Sequence, residues 1–189
     1  ITAWDGFKGR PVDALCWDYN ARSAIPDVVC GGRLTSSSQE IGLTGSVNYA
    51  RRSVPGFGAS FKQNMRNTLG RALSVSGFAE MLPNEETRID LDPKLVDDHG
   101  MPIARIKSRL TEADFKRLKF MADKCRKILK AAGAKTLVEE FGTYDHFSAT
   151  HVFGSCRMGD KAQNSVVHAY GRSHACGHPH ITDARIFQT

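Results

Sequence analysis

The stretch His151-Val-Phe-Gly-Ser-Cys-Arg-Met-Gly159 decides how this chain is read. It places an imidazole three residues ahead of a glycine, in a run with little charge and no helical period, so the histidine sits on an irregular segment. Histidine has the ordinary pKa nearest neutrality, which lets it take a proton from a hydroxyl and return it later. Gly154 and Gly159 leave room for close backbone approach to a ligand or cofactor. By residue chemistry alone a histidine among apolar neighbours is more often a hydrogen-bonded core residue than a catalyst, and both readings stay open. The run contains neither G-x-S-x-G nor H-E-x-x-H, which excludes a nucleophile elbow and a zincin helix.

Downstream lies a cluster of potential ligands, His174-Ala-Cys176-Gly-His178-Pro-His180. On an extended segment these four side chains share one side, and imidazole with thiolate is a zinc-like set. Ligands two residues apart fit a tetrahedral site awkwardly, and Gly177 with Pro179 predicts a turn. The metal-binding module built on this tail is therefore the alternative reading, and the expectation is no metal. Upstream, His146 and His151 share no clean face of a helix or strand, so they are not a ligand pair.

Further upstream the clearest periodicity runs from Glu112 to Ala132. Phe115, Leu118, Met121, Cys125, Ile128, Leu129 and Ala132 recur at steps of three and four, Thr111 with Asp114 makes a capping-box variant, and Gly133 offers a stop. One side is apolar and the other basic, which predicts packing against a sheet with Cys125 in the core. Strands are predicted over 75–82, 87–91 and 103–107, antiparallel and joined across residues 92–101, with His99 exposed in the turn. Another short strand is predicted over 136–141. A helix over 58–73 follows from Phe61, Met65, Leu69 and Leu73. Gly56-Phe-Gly-Ala-Ser-Phe61 is one residue short of the dinucleotide fingerprint; Phe61 occupies the third glycine position and no buried strand precedes it, so it is rejected as a phosphate loop. Residues 1–35 read as loops carrying anchoring aromatics, with a short strand over 27–30, and residues 36–45 read as turn-rich.

The 189 residues are 41% hydrophobic and 24% charged, ordinary for a globular domain with a real core. No apolar run approaches the ~20 residues of a membrane-spanning helix. The net charge is +6, but the positive residues form no single block and their densest cluster, on the helix, has Glu112, Asp114 and Asp123 among it, which predicts a solvated face and no nucleic-acid partner. Five scattered cysteines without a C-x-x-C pair suit a reduced interior. The chain starts at Ile1, and it is expected to be part of a longer protein; nothing in it indicates a cellular location.

His151 to Gly159, then Asn164-Ser-Val-Val167, Gly171-Arg-Ser-His174 and Ile181-Thr-Asp-Ala-Arg-Ile-Phe-Gln-Thr189, resemble in order and spacing the C-terminal signature of the glucose-methanol-choline (GMC) flavoprotein oxidoreductases. Leu91-Asp-Pro93, Asp97, Gly100 and Pro102 resemble a second stretch of that family. The resemblance implies an α+β fold: an antiparallel substrate-domain sheet packed with a long amphipathic helix, plus a C-terminal segment belonging to an FAD-binding domain otherwise missing. It divides the chain into a substrate-binding portion, 1–147, and a signature segment, 148–189, contributing to the flavin site. It further implies oxidation of an alcohol or sugar CH–OH group with hydride passing to FAD, His151 as general base, and Asp183 and Ala184 against the cofactor. The electron acceptor is not implied. Four departures bear on the cofactor: His168 replaces the family's aspartate, His178 its asparagine, Arg185 a small residue, and Gln188 a proline.

Overall fold

The computed structural model describes residues 12–37, 42–137 and 153–187. The chain parts into two compact units, one formed by Ile1–Glu80 with Thr111–Asp145, the other by Met81–Leu110 with His146–Thr189. Both mix irregular backbone with antiparallel pairing.

In the first unit, strands β1 (Val12–Cys16), β2 (Gly32–Ser37) and β3 (Ser74–Ala79) form an antiparallel sheet in that order. Side chains alternate across a strand, so Leu34 and its partner position Gly77 face one way while Arg33 and its partner Phe78 face the other. On the Leu34 side lies α3 (Glu112–Ala131), packed on β3 and β2. The helix comes close because Gly77 has no side chain: a Cβ there would stand 2.6 Å from that of Met121. Ile25, Leu34 and Met121 are the buried centre, ringed by Cys16, Tyr19, Val28, Ala79, Phe120 and Cys125. Each such aliphatic side chain contributes about 1.5–3 kcal/mol by leaving water. The predicted place of Cys125 is observed, and burial pushes its thiol pKa up.

The start of α3 follows the predicted capping box. Thr111 Oγ1 accepts the Asp114 amide at 3.2 Å, and the Asp114 carboxylate accepts the Thr111 amide at 2.7 Å. The buried stripe differs from the predicted one. Arg117, expected on the basic face, is completely buried and paired with Asp114, while Phe115 and Ile128 are exposed. Arg117 also donates through Nη1 to the Val29 carbonyl at 2.6 Å, tying the loop before β2 to the helix.

That loop is where a strand was expected over 27–30. None forms, because Asp27 and Cys30 take left-handed backbone angles, φ +62° and +73°, that break an extended run. β1, β2 and α1 (Gly42–Ser53) were not anticipated in the loop and turn readings of residues 1–45. The helix α2 (Gly58–Thr68) forms as predicted but stops earlier, at Leu69. It follows a helix and coil instead of a strand, consistent with rejecting Gly56–Phe61 as a phosphate loop.

The second unit holds β4 (Arg88–Val96) and β5 (Pro102–Lys107), an antiparallel pair in which Ile89 faces Ile106 and Leu91 faces Ala104. The predicted turn closes it: the Asp97 amide bonds to the Met101 carbonyl at 2.8 Å, Asp97 Oδ1 accepts the His99 and Met101 amides, and His99 is exposed. Asp90 sits among Arg105, Lys107 and Arg88, and its bidentate bond with Arg105 (2.6 and 3.0 Å) holds the carboxyl pKa far below the usual range. One correction concerns pairing. The three strands expected in one antiparallel set divide, β3 joining β2 and the hairpin standing in the other unit, so α3 packs on the β2–β3 sheet. Neighbours in sequence pair often but not always, and the partner of β3 lies some forty residues back. Of the strand expected over 136–141, Thr136 and Leu137 are irregular and the rest lies outside the described residues.

Candidate functional site

Among the described residues the signature segment has almost no regular secondary structure, and it is knitted by backbone hydrogen bonds instead. Val167, with no exposed surface, is its centre. The Gly159 amide donates to the Val167 carbonyl at 2.8 Å, the Val166 amide to the Arg157 carbonyl at 2.9 Å, and single bridges pair Met158 with Val167, Val167 with Ser173 and Arg172 with His180. Gly171 makes the tight return between them: its φ is +74°, and a Cβ there would meet the Ile181 carbonyl oxygen at 2.6 Å. Only glycine fits such a position without strain.

Two backbone bonds give the segment its functional interest. The Cys156 amide donates to the Arg185 carbonyl and the Met158 amide to the Ile186 carbonyl, both at 3.0 Å. They lay the Gly154–Gly159 run alongside residues 183–187, so two distant parts of the chain share one place. Gly154, at φ +81°, turns the chain just before this ladder. A cleft of about 280 Å³ opens beside it, lined by Met158, Gly159, Asp160, Ala169 and Phe187. His151 and His146 lie outside the described residues.

Asp183 caps the short 3₁₀ turn Ala184–Ile186, its Oδ1 accepting the Arg185 amide at 2.9 Å. The Arg185 guanidinium folds back onto the same carboxylate at 2.5–3.0 Å. First that side chain and then the Arg185 amide hold the Asp183 pKa down to about 2. Arg185, which stands where the family has a small residue, is turned onto its neighbour. Among the described residues no acceptor meets the backbone amides of Asp183 and Ala184.

The histidine-rich tail folds as a hairpin whose Ser173 amide bonds to the Pro179 carbonyl at 3.1 Å, consistent with the turn that Gly177 and Pro179 predicted. His174 Nε2 reaches the Gly159 carbonyl at 3.0 Å and Ser165 Oγ at 2.9 Å. A carbonyl only accepts, so Nε2 carries the proton, and the Ser165 hydroxyl donates to the Lys161 carbonyl at 2.6 Å. The pair is a strut between Gly159 and Ser165. Among the described residues no three His, Cys, Asp or Glu side chains are placed to hold a metal ion, so His174, Cys176, His178 and His180 do not make the ligand set of the alternative reading. Looping the tail back turns His174 inward to Gly159 and leaves Cys176, His178 and His180 exposed. His168 meets the Tyr170 amide through Nδ1 (3.1 Å) and Arg172 Nε through Nε2 (3.0 Å). A neutral imidazole accepts at one nitrogen only, so these donors compete where a carboxylate would satisfy both.

The sequence did not point to the cleft or to the carbonyls of Arg185 and Ile186. Backbone partners leave no mark in residue type, although the Ile181–Thr189 motif marked the stretch.

A mixed α+β chain with antiparallel pairing and a knitted C-terminal segment is the class these features define. Residues 83–189, more than half the chain, match the sequence profile of the GMC oxidoreductases, and the chain belongs to that family. It is 34% identical over 101 residues to 6'''-hydroxyparomomycin C oxidase of Streptomyces lividus, covering 53% of this chain and 18% of that one. It is 29% identical over 117 residues to 2-methyl-1,2-propanediol dehydrogenase of Mycolicibacterium austroafricanum, 62% of this chain and 21% of the relative. With the gluconate 2-dehydrogenase flavoprotein of Pantoea cypripedii it shares 26% identity over 128 residues, 65% and 21%. The chain thus spans about a fifth of the length of the curated relatives it matches.

Proposed function

We propose that this chain forms part of an FAD-dependent oxidoreductase that oxidises a CH–OH group of a small alcohol or sugar, with His151 as general base. Residues 1–147 supply a substrate-binding portion and residues 148–189 contribute to the flavin site. The observation that carries the reading is the match of residues 83–189 to the GMC family. The names of relatives that are oxidases and dehydrogenases support it.

Bound FAD would supply the hydride-accepting chemistry. The chain's task is the proton. An alcohol that loses hydride becomes a protonated carbonyl unless its hydroxyl proton leaves too, so a base beside the carbon is a chemical necessity. His151 takes that proton, a contribution commonly worth ~10²- to 10⁴-fold. The backbone at Asp183 and Ala184 fits the group: their amides have no acceptor among the described residues, and the Asp183 carboxylate is neutralised by Arg185. Those amides would hold flavin oxygens without presenting a bare negative charge to them. The ladder from Cys156 and Met158 to Arg185 and Ile186 supports a common site for the His151 loop and Asp183–Ala184.

The test is the absorbance spectrum of the intact protein. Flavin bands that bleach anaerobically on adding an alcohol are expected, with His151→Ala slowing the bleaching by about 10²-fold or more. A colourless protein, or unaltered bleaching in the variant, would remove the reading.

A further inference from the structure

We propose that Trp17, Arg33 and Phe78 form a receptor for the carboxylate of a small polyhydroxy acid, on the face of the β1–β2–β3 sheet opposite α3. Arg33 and Phe78 are register partners on β2 and β3, and Trp17 follows β1 directly. The guanidinium carbon of Arg33 lies 5.5 Å from the Trp17 ring centre and 5.4 Å from that of Phe78. Two aromatic faces therefore hold one cation. Both rings are half exposed, 52% and 51%.

The donors are what make this a receptor. A guanidinium carries five N–H groups in a planar fork, and among the described residues no acceptor or carboxylate meets any of those of Arg33. The other arginines on the antiparallel strands, Arg88 and Arg105, both bond to Asp90. A positioned fork with its donors free matches a carboxylate in shape and charge, since the two pair through parallel N–H···O bonds. The flanking rings would contact the C–H face of the ligand carbon chain. That the ligand also bears hydroxyls rests on the CH–OH oxidation proposed above; the carboxylate receptor stands on the three side chains alone.

The test is calorimetric titration of the intact protein with sodium D-gluconate, with neutral D-glucitol as control. Gluconate should bind saturably and glucitol should not. Arg33→Gln should weaken gluconate binding about ten- to a hundredfold. Arg33→Lys should recover part of that loss by restoring the charge. Trp17→Ala should weaken binding while leaving the far-UV circular dichroism unchanged. Equal affinity in wild type and Arg33→Gln, equal binding of glucitol, or no saturable binding because a second copy or another segment covers the face, each overturns the proposal. Flavin bleaching is recorded in parallel. Normal bleaching with no Arg33-dependent binding sinks this inference and spares the function; a colourless protein that binds gluconate through Arg33 does the reverse.

Discussion

The two units each contain an aspartate at the start of a helical turn bonded to an arginine just after it, and the pairs do opposite things. Asp114 and Arg117 are three residues apart, with side chains 4% and 1% exposed. Asp183 and Arg185 are two apart, with side chains 49% and 56% exposed. In the first pair the charges have lost their water and every contact is held by the fold, the Val29 carbonyl and the Thr111 amide included. In the second, water screens the charges, and the Asp183 and Ala184 amides meet no acceptor among the described residues. The same two side chains serve as an internal brace in one place and as a neutralising cover in the other, and solvent decides which.

Breaking the buried brace should give the largest effect. Arg117→Ala leaves Asp114 charged without its cation in the core, and unfolding in urea should show a loss of about 3–5 kcal/mol. Next comes Gly171→Ala, which forces a side chain onto the Ile181 carbonyl at a left-handed φ; a loss of about 1–3 kcal/mol is expected. Hydrogen exchange should place that loss in the Ile181 and His168 amides and leave α3 unaffected. Thr111→Ala removes one half of the capping box and should cost about 1 kcal/mol, with Thr111→Ser nearly neutral. Smallest is the exposed pair. The Asp183 pKa is lowered in the folded protein, so its contribution is complete above the unfolded value of about 3.9 and fades as pH falls towards about 2. An NMR titration should find this depressed midpoint return to the ordinary carboxylate range in Arg185→Ala, with no measurable change in the melting of the β1–β2–β3 sheet.

The comparison also marks what could be read beforehand. Helix α3, its capping box and the β4–β5 hairpin with its Asp97 turn were legible because period and turn chemistry are local. The burial of Arg117 was not, since a basic residue among lysines looks solvated until its partners, a carbonyl 88 residues away among them, are known. The three-stranded sheet was missed for the same reason: β1 and β2 are short, mixed in polarity and paired across long intervals. In the signature segment the family motif singled out Asp183 and Ala184 as candidates, whereas the ladder to Cys156 and Met158 is built from main-chain groups that every residue carries alike.

That ladder makes residues 184–186 a clasp. The Gly154–Gly159 run is fastened to Arg185 and Ile186 by two backbone hydrogen bonds, from the Cys156 and Met158 amides. Cutting the protein just ahead of Ala184 would unfasten Cys156 and Met158, more than twenty-five positions away in sequence. The oxidation proposed above would then be expected to fail through loss of aim, with the imidazole of His151 still chemically intact.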